Sequence, residues 1–385
     1  MNSLADKTVR FERAVRRSEE EIHVHLNGLQ LKDPHLLDMG WNSFFANHFL
    51  ELDDPRLVPA RVVEESRGIY RVRRAREEYA AKIAGKIRYL AQARKDFPAV
   101  GDWVAIAPHD ESQSRIECIL PRKTKLSRKV AGRELNEQIV AANVDNVFVV
   151  SSLNREFNLR RIERYLTLVW DSGAAPVVLL NKTDLCADAA AQASAVGSIA
   201  PGIPVLLLSV LQEAGVESVR NHISRGQTAA FVGSSGVGKS TIINALLGAT
   251  SLRVQPVRED DDRGRHTTTS RQMIFLPGGG IVIDTPGMRE LQLWDSEEGL
   301  SRAFEDIAAL AENCKFRDCG HNGEPGCAVE AAIQEGQLGS ERLENHRKLQ
   351  AELRFQQRKA DSELARQEKE RWKKIHKAMR HKHRN

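Results

Sequence analysis

Eight residues constrain this chain more than any others. Gly233-Ser234-Ser235-Gly236-Val237-Gly238-Lys239-Ser240 fits G-x-x-x-x-G-K-[ST], and it lies between an apolar strand-like run, TAAFV, and a helix-like run, STIINALLG. A polyphosphate needs many donors at close range, and glycines let backbone N–H groups wrap it while the helix N-terminus adds partial positive charge. Lys239 is expected to bridge β- and γ-phosphates, and Ser240, followed by Thr241, to place its hydroxyl on Mg²⁺. A chance glycine-rich turn is the bland alternative, and the flanking strand and helix argue against it.

The segments around this loop share its texture. From Val144 onward come VFVVSS, then FNLRRIERYLTLVWDSG with helical spacing, PVVLLNKTDL, an alanine-rich helical stretch, VLLLS, and later IVIDTPG. Strands alternating with helices predict a parallel sheet with covered faces. Asn181-Lys182-Thr183-Asp184 follows the apolar run PVVLL. A carboxylate at Asp184 can accept both the N1–H and the exocyclic amine of guanine, whereas adenine offers no such pair of donors, so GTP is expected over ATP. Asn181 would hold the loop and the Lys182 stem would cover the ring. On its own the four-residue motif is equally a turn former.

Asp284-Thr-Pro-Gly287 closes the run GIVID; Asp284 would reach Mg²⁺ through water and the Gly287 N–H would meet the γ-phosphate. Between the two phosphate motifs lies Gly264-Arg-His266-Thr267-Thr268-Thr269, where a switch loop would supply a threonine to Mg²⁺; which of the three does so stays open. In Ras-like enzymes a glutamine follows the DxxG glycine and orients the attacking water, but here the residue is Met288. His266 is the candidate replacement, against the plainer reading of a solvated loop histidine. The motif order is also informative. NKTD, and Ser209 as the start of a weaker base-facing loop, precede the phosphate loop and DTPG, which is a circular permutation of the Ras order.

A length of 385 residues allows two or three domains. Between Ala60 and Leu120 the pattern changes to short, partly alternating runs broken by turn residues, which predicts a small β-barrel. Residues 1 to about 40 read as a charged, loosely ordered extension, although LLDMGWNSFFANHF has the spacing of a short amphipathic helix. No apolar run nears the roughly 18 residues of a membrane span and no secretory signal is visible, so a cytoplasmic protein is expected. Net charge is +5, but residues 340–385 hold 15 Lys/Arg against 7 Asp/Glu. That tail reads as an arm attracted to phosphate backbones or, more blandly, as a solvated helical face.

Three of the five cysteines cluster as Cys314-x4-Cys319-x-His321-x5-Cys327, the Cys₃His set of a tetrahedral structural Zn²⁺ site with no ligand position left for water. Cys118 and Cys186 read as core residues.

Taken together, NKTD, GSSGVGKST, RHTTT and DTPGMRE in this order, the cysteine cluster, and FPAVGDWVAI followed by ILPRKTKLSRK resemble the circularly permuted GTPases of the RsgA/YjeQ family over roughly residues 40–340. The resemblance implies a multidomain α/β and all-β fold: an N-terminal OB-fold barrel, a permuted P-loop GTPase domain and a C-terminal zinc-binding helical domain. Boundaries are placed at 1–50 for the extension, 51–130, 131–295, and 296–385 with the basic tail. It also implies GTP hydrolysis stimulated by the small ribosomal subunit, rRNA binding and a late maturation role. A monomer with one Zn²⁺ and with Mg²⁺ beside GTP is expected. Arg71, Arg73, Arg74, Arg76, Arg122, Lys123, Lys125, Arg128 and Lys129 lie on apparent turns of the barrel and are expected to serve RNA. Two other readings stand beside this one: a nucleotide-gated RNA-binding protein whose hydrolysis is incidental, and a P-loop ATPase or kinase, which Asp184 disfavours.

Overall fold

A computed structural model describes residues 33–66, 68–108, 113–129, 137–154, 157–248, 271–284 and 297–358. The segment read as one amphipathic helix is two, α1 (Pro34–Asp38) and α2 (Ser43–Leu50), because Asp33 and Asn42 each cap a separate start. Both lay apolar residues on the barrel: Trp41 meets Trp103 edge to face at 4.6 Å, with Leu36, Phe45 and Phe49 around them.

The barrel follows from period-two patterning. Strands β1 (Val58–Ser66), β2 (Ile69–Arg74), β3 (Glu77–Ile83), β4 (Trp103–Pro108) and β5 (Gln113–Ile119), with helix α3 (Gly85–Leu90) after β3, close in the order β1-β2-β3-β5-β4-β1. The β3–β5 pair is parallel and the others are antiparallel, an OB-like arrangement. Alternate residues point inward, and Ala60, Val62, Tyr70, Val72, Ala81, Val104, Ile106 and Ile116 fill the interior.

A hairpin of β6 (Lys125–Lys129) and β7 (Glu137–Ala142) leads into the α/β part. There β8 (Asn146–Ser152), α4 (Leu159–Ser172), β9 (Ala175–Asn181), α5 (Ala189–Ile199), β10 (Val205–Leu208), α6 (Val216–Asn221), β11 (Thr228–Val232), α7 (Lys239–Leu247), β12 (Arg271–Phe275) and β13 (Ile281–Asp284) follow in turn. The sheet order is β10-β9-β8-β11-β13-β12, with β12 antiparallel and the other pairs parallel. Adjacent residues of each strand serve opposite faces. Val147, Val149, Val178, Leu180, Ala230 and Val232 pack under α4 and α5, while Phe148, Val150, Leu179, Ala229 and Phe231 pack under α6 and α7.

Barrel and α/β sheet are one hydrogen-bonded surface. A bulge after Val62 turns the second half of β1 away from β4, and there Glu64 and Glu65 pair with Gln272 and Arg271 of β12. The Arg271 guanidinium meets Glu65 at 3.1 Å, and Arg73 of the barrel lies 4.1 Å over the Phe275 ring. Arg61, fully buried, donates to the carbonyls of Met39, Gly101 and Asn143, so one side chain ties α1, the barrel and the hairpin together. Burial without a touching carboxylate lowers its pKa to about 10.

The C-terminal helices α8 (Glu297–Ala303), α9 (Glu305–Ala311), α10 (Ala328–Gln334) and α11 (340–358) cover the outer side of α4. A buried network fixes them. Arg342 of α11 donates to Glu163 of α4 at 2.6 Å and to both oxygens of Asp306 at 2.7 Å, while Asn345 donates to the other Glu163 oxygen. Arg164 forms a two-pronged pair with Glu352 at 2.5 and 2.8 Å. Among the described residues no helix is long and apolar enough to cross a membrane.

Candidate active site and metal centre

Three parallel strands end at one place, as expected at a switch point where strand order reverses. β11 runs into the phosphate loop, β9 into NKTD and β13 into Asp284. The loop's glycines are required by geometry. At Gly233 a Cβ would sit 2.3 Å from the Val150 carbonyl oxygen, and at Gly238, with φ +100°, 2.4 Å from Asn181 Nδ2. Val237 is buried as the loop's anchor, whereas Ser235, Gly236, Ser240 and Thr241 are exposed at the mouth and at the start of α7.

The base loop and the phosphate loop are joined directly. Asn181 Nδ2 donates to the Val237 carbonyl at 2.8 Å, while its Oδ1 is buried with no partner among the described residues. Lys182 takes a left-handed backbone conformation, φ 62°, and its Nζ donates to the Gly236 carbonyl at 2.8 Å. Thr183 opens a short 3-10 turn, and beside it Asp184 Oδ1 accepts from Ser209 Oγ at 2.5 Å, so the serine read as the start of a base-facing loop lies against the carboxylate. At the other end of the loop, Lys239 Nζ donates to the carbonyls of Gly233 and Ser234 at 2.8 and 2.7 Å. Burial raises the pKa of Asp284, with Lys239 pulling the other way. A buried carboxylate of this kind suits a divalent cation. His266, Thr267, Thr268, Thr269, Gly287 and Met288 lie outside the described residues.

Cys314, Cys319, His321 and Cys327 converge, with their four ligand atoms within 4.8 Å of one another. Cys314 Sγ is 3.9 Å from Cys327 Sγ, and His321 Nδ1 is 3.6 and 3.5 Å from those two sulfurs. A tetrahedral ion with bonds of about 2.3 Å to sulfur and about 2.0 Å to nitrogen sets such spacings at about 3.8 and 3.5 Å, so the cluster can hold a metal ion. The knuckle is supported from outside. Arg347 of α11 donates to the His321 carbonyl, and Glu324 accepts from the backbone N–H of Gly320 and Asn322. Cys118 and Cys186 are half-buried against apolar cores.

Several cations expected on the barrel surface are already engaged. Arg122 grips Asp102, which is fully buried, through Nε and Nη2 at 2.7 Å each, so it is an internal brace. Arg71 reaches Glu64 and Glu78, and Lys125 reaches Glu137. Two contacts were invisible in the sequence. Arg161 and Arg347 each touch a motif residue distant in the chain, Ser234 and His321 respectively, and the only local sign is a basic residue within a helical run.

The model of the RsgA GTPase family matches residues 119–294. Small ribosomal subunit biogenesis GTPase RsgA 2 of Lactiplantibacillus plantarum is 49% identical over 299 residues, covering 78% of this chain and 84% of the relative. The chain belongs to the RsgA GTPase family. It is therefore a GTP hydrolase. Among solved structures, YjeQ from Thermotoga maritima aligns with TM-score 0.60 and 28% identity over 77% of this chain and 98% of that one. YloQ, described as a circularly permuted GTPase, aligns with TM-score 0.57 and 25% identity over 78% and 96%. The permuted order of an RsgA GTPase explains why the NKTD strand β9 lies two places from the phosphate-loop strand β11 while preceding it in the chain.

Proposed function

We infer that this GTPase binds the small ribosomal subunit during late maturation, acts there as an assembly checkpoint, and is stimulated by the subunit. Curated relatives named as small ribosomal subunit biogenesis GTPases support the target. The observation that carries the coupling is the β1–β12 pairing: an OB-like barrel is hydrogen-bonded to the strand lying between the threonine-rich loop and DTPG. Lys82, Lys86, Arg88 and Arg94 are exposed in the same stretch of chain as Tyr89, which is 89% exposed, a combination suited to phosphates with an aromatic face for a base.

In this reading Asp184 accepts from guanine, the Lys182 stem covers the ring, and Asn181 braces the loop. Residues Gly233 to Thr241 cradle the phosphates, with Lys239 across the β- and γ-groups. Ser240 and Asp284 hold Mg²⁺, which when bound offsets phosphate charge. Gly287 meets the γ-phosphate, and His266 is the group proposed to face the water. Cys314, Cys319, His321 and Cys327 hold one structural Zn²⁺ per chain. The protein works in the cytoplasm as a monomer.

Sedimentation with purified large and small ribosomal subunits tests this reading. Tighter binding to the small subunit with a non-hydrolysable GTP analogue than with GDP, together with faster single-turnover hydrolysis in its presence, is the expected result. Equal affinity in both nucleotide states would refute the coupling.

A further inference from the structure

We propose that Arg161 is an arginine supplied from within the chain to the terminal phosphate of GTP, where it stabilises the transition state of hydrolysis. Its placement is tightly determined. Asn158 caps α4 by accepting from the Arg161 backbone N–H at 3.2 Å, which sets the side chain at the helix's first turn. From there Arg161 Nη1 reaches Ser234 Oγ at 3.1 Å. Ser234 is the residue whose carbonyl accepts from Lys239 Nζ, so two cationic side chains converge on one end of the phosphate loop. The base-reading side chains Asn181 and Lys182 touch Val237 and Gly236, at the other end. A nucleotide laid along the loop with its base at NKTD therefore has its terminal phosphate at the Lys239 and Arg161 end.

The charge pattern of α4 separates Arg161 from its neighbours. Arg160 pairs with Glu344, Glu163 with Arg342, and Arg164 with Glu352, all on α11. Arg161 is exposed and has no carboxylate partner among the described residues. Its helix is held on one side by the sheet core and on the other by α11, so the guanidinium is carried on a rigid support. It lines a small, partly open cleft with Val149, Ser152, Tyr165, Ser234 and Val237. Met288, in the place where a glutamine would act, leaves the reaction short of one polar group.

In the step itself, water oxygen forms a bond to the γ-phosphorus while the bond to the β–γ bridging oxygen breaks. The electron pair stays on GDP, and of the two water protons one remains on the inorganic phosphate and the other passes to solvent. Arg161 contributes hydrogen bonds and positive charge where negative charge grows, and forms no covalent bond.

The test uses the full chain with Mg²⁺ and compares Arg161→Ala, Arg161→Lys and, as a control on α4 docking, Arg160→Ala. Single-turnover GTP hydrolysis should fall about 100-fold or more in Arg161→Ala, as for loss of a preorganised transition-state donor. Affinity for a fluorescent GDP should stay within about twofold, because the lost contact belongs to the transition state. The tightening of GDP binding by aluminium fluoride should disappear in Arg161→Ala and be partly kept in Arg161→Lys. Arg160→Ala should match the parent protein. Hydrolysis in Arg161→Ala within about threefold of the parent would overturn the proposal. So would a loss of GDP affinity as large as the loss of rate, since that would make Arg161 an anchor of the loop.

Discussion

The hydroxyl of Ser209 donates to Asp184 Oδ1 at 2.5 Å, which fixes the carboxylate's orientation before any base arrives. Preorganisation of this kind turns a charged acceptor into a selective one, because an ill-matched base leaves it desolvated and unpaired. Asp184→Asn is expected to lower the preference for GTP over ATP by about 2–4 kcal/mol. Equilibrium binding of both nucleotides to parent and variant measures this, and unchanged discrimination would remove Asp184 from the base-reading role.

Lys239 donates to the two carbonyls that open the phosphate loop, so its ammonium is placed at the loop mouth. Lys239→Ala is expected to slow single-turnover hydrolysis by at least about 100-fold. Full activity in that variant would contradict the assignment of this loop.

Elemental analysis of protein prepared without chelator is expected to return one zinc per chain, falling sharply in Cys319→Ser. The knuckle from Cys314 to Cys327 contributes few large apolar side chains, so the metal should supply much of its local folding free energy. Chelation should therefore speed hydrogen exchange in residues 313–334 ahead of the α/β sheet. A zinc-free preparation with unchanged protection there would count against the site.

Arg122→Ala would strand the fully buried carboxylate of Asp102 with one remaining donor, the Ala99 N–H at 2.8 Å. Breaking such a pair from one side costs about 3–5 kcal/mol. Denaturation followed by the fluorescence of Trp41 and Trp103 should register it; a stability within about 1 kcal/mol of the parent would restore Arg122 to the surface.

Deleting residues 371–385 removes seven Lys/Arg and no acid, and is expected to flatten the fall of small-subunit affinity with log salt concentration. An identical slope would make that stretch a solvated helical face.

Local pattern explains which parts were legible in the sequence. Val72 and Ile116 alternate with polar neighbours and announce barrel strands, and the phosphate loop announces itself by residue type alone. Closure of the barrel depends on the bulge after Val62 and on a parallel β3–β5 pair, neither of which leaves a mark at one position. Arg122 misled for a related reason. A cation next to a proline reads as surface, and its partner Asp102 is 20 residues away, within the strand-like run VGDWVAIAP, where nothing local marks a buried carboxylate. Arg161 and Ser234 are 73 residues apart, a separation at which only the folded chain shows the pair.

The hydrogen bonds between β1 and β12 also bear on how separable the parts of this protein are. β12 lies at the rim of the α/β sheet, and the barrel supplies its outer partner through Glu64 and Glu65. A fragment beginning after residue 120 would keep every nucleotide motif, yet it would leave the backbone of that rim strand unpaired and the Phe275 ring without its cover from Arg73. An exposed strand of this kind invites pairing with a second molecule. Such a fragment should self-associate, so recombination or engineering that exchanges the barrel has to carry a replacement strand for β12 along with it.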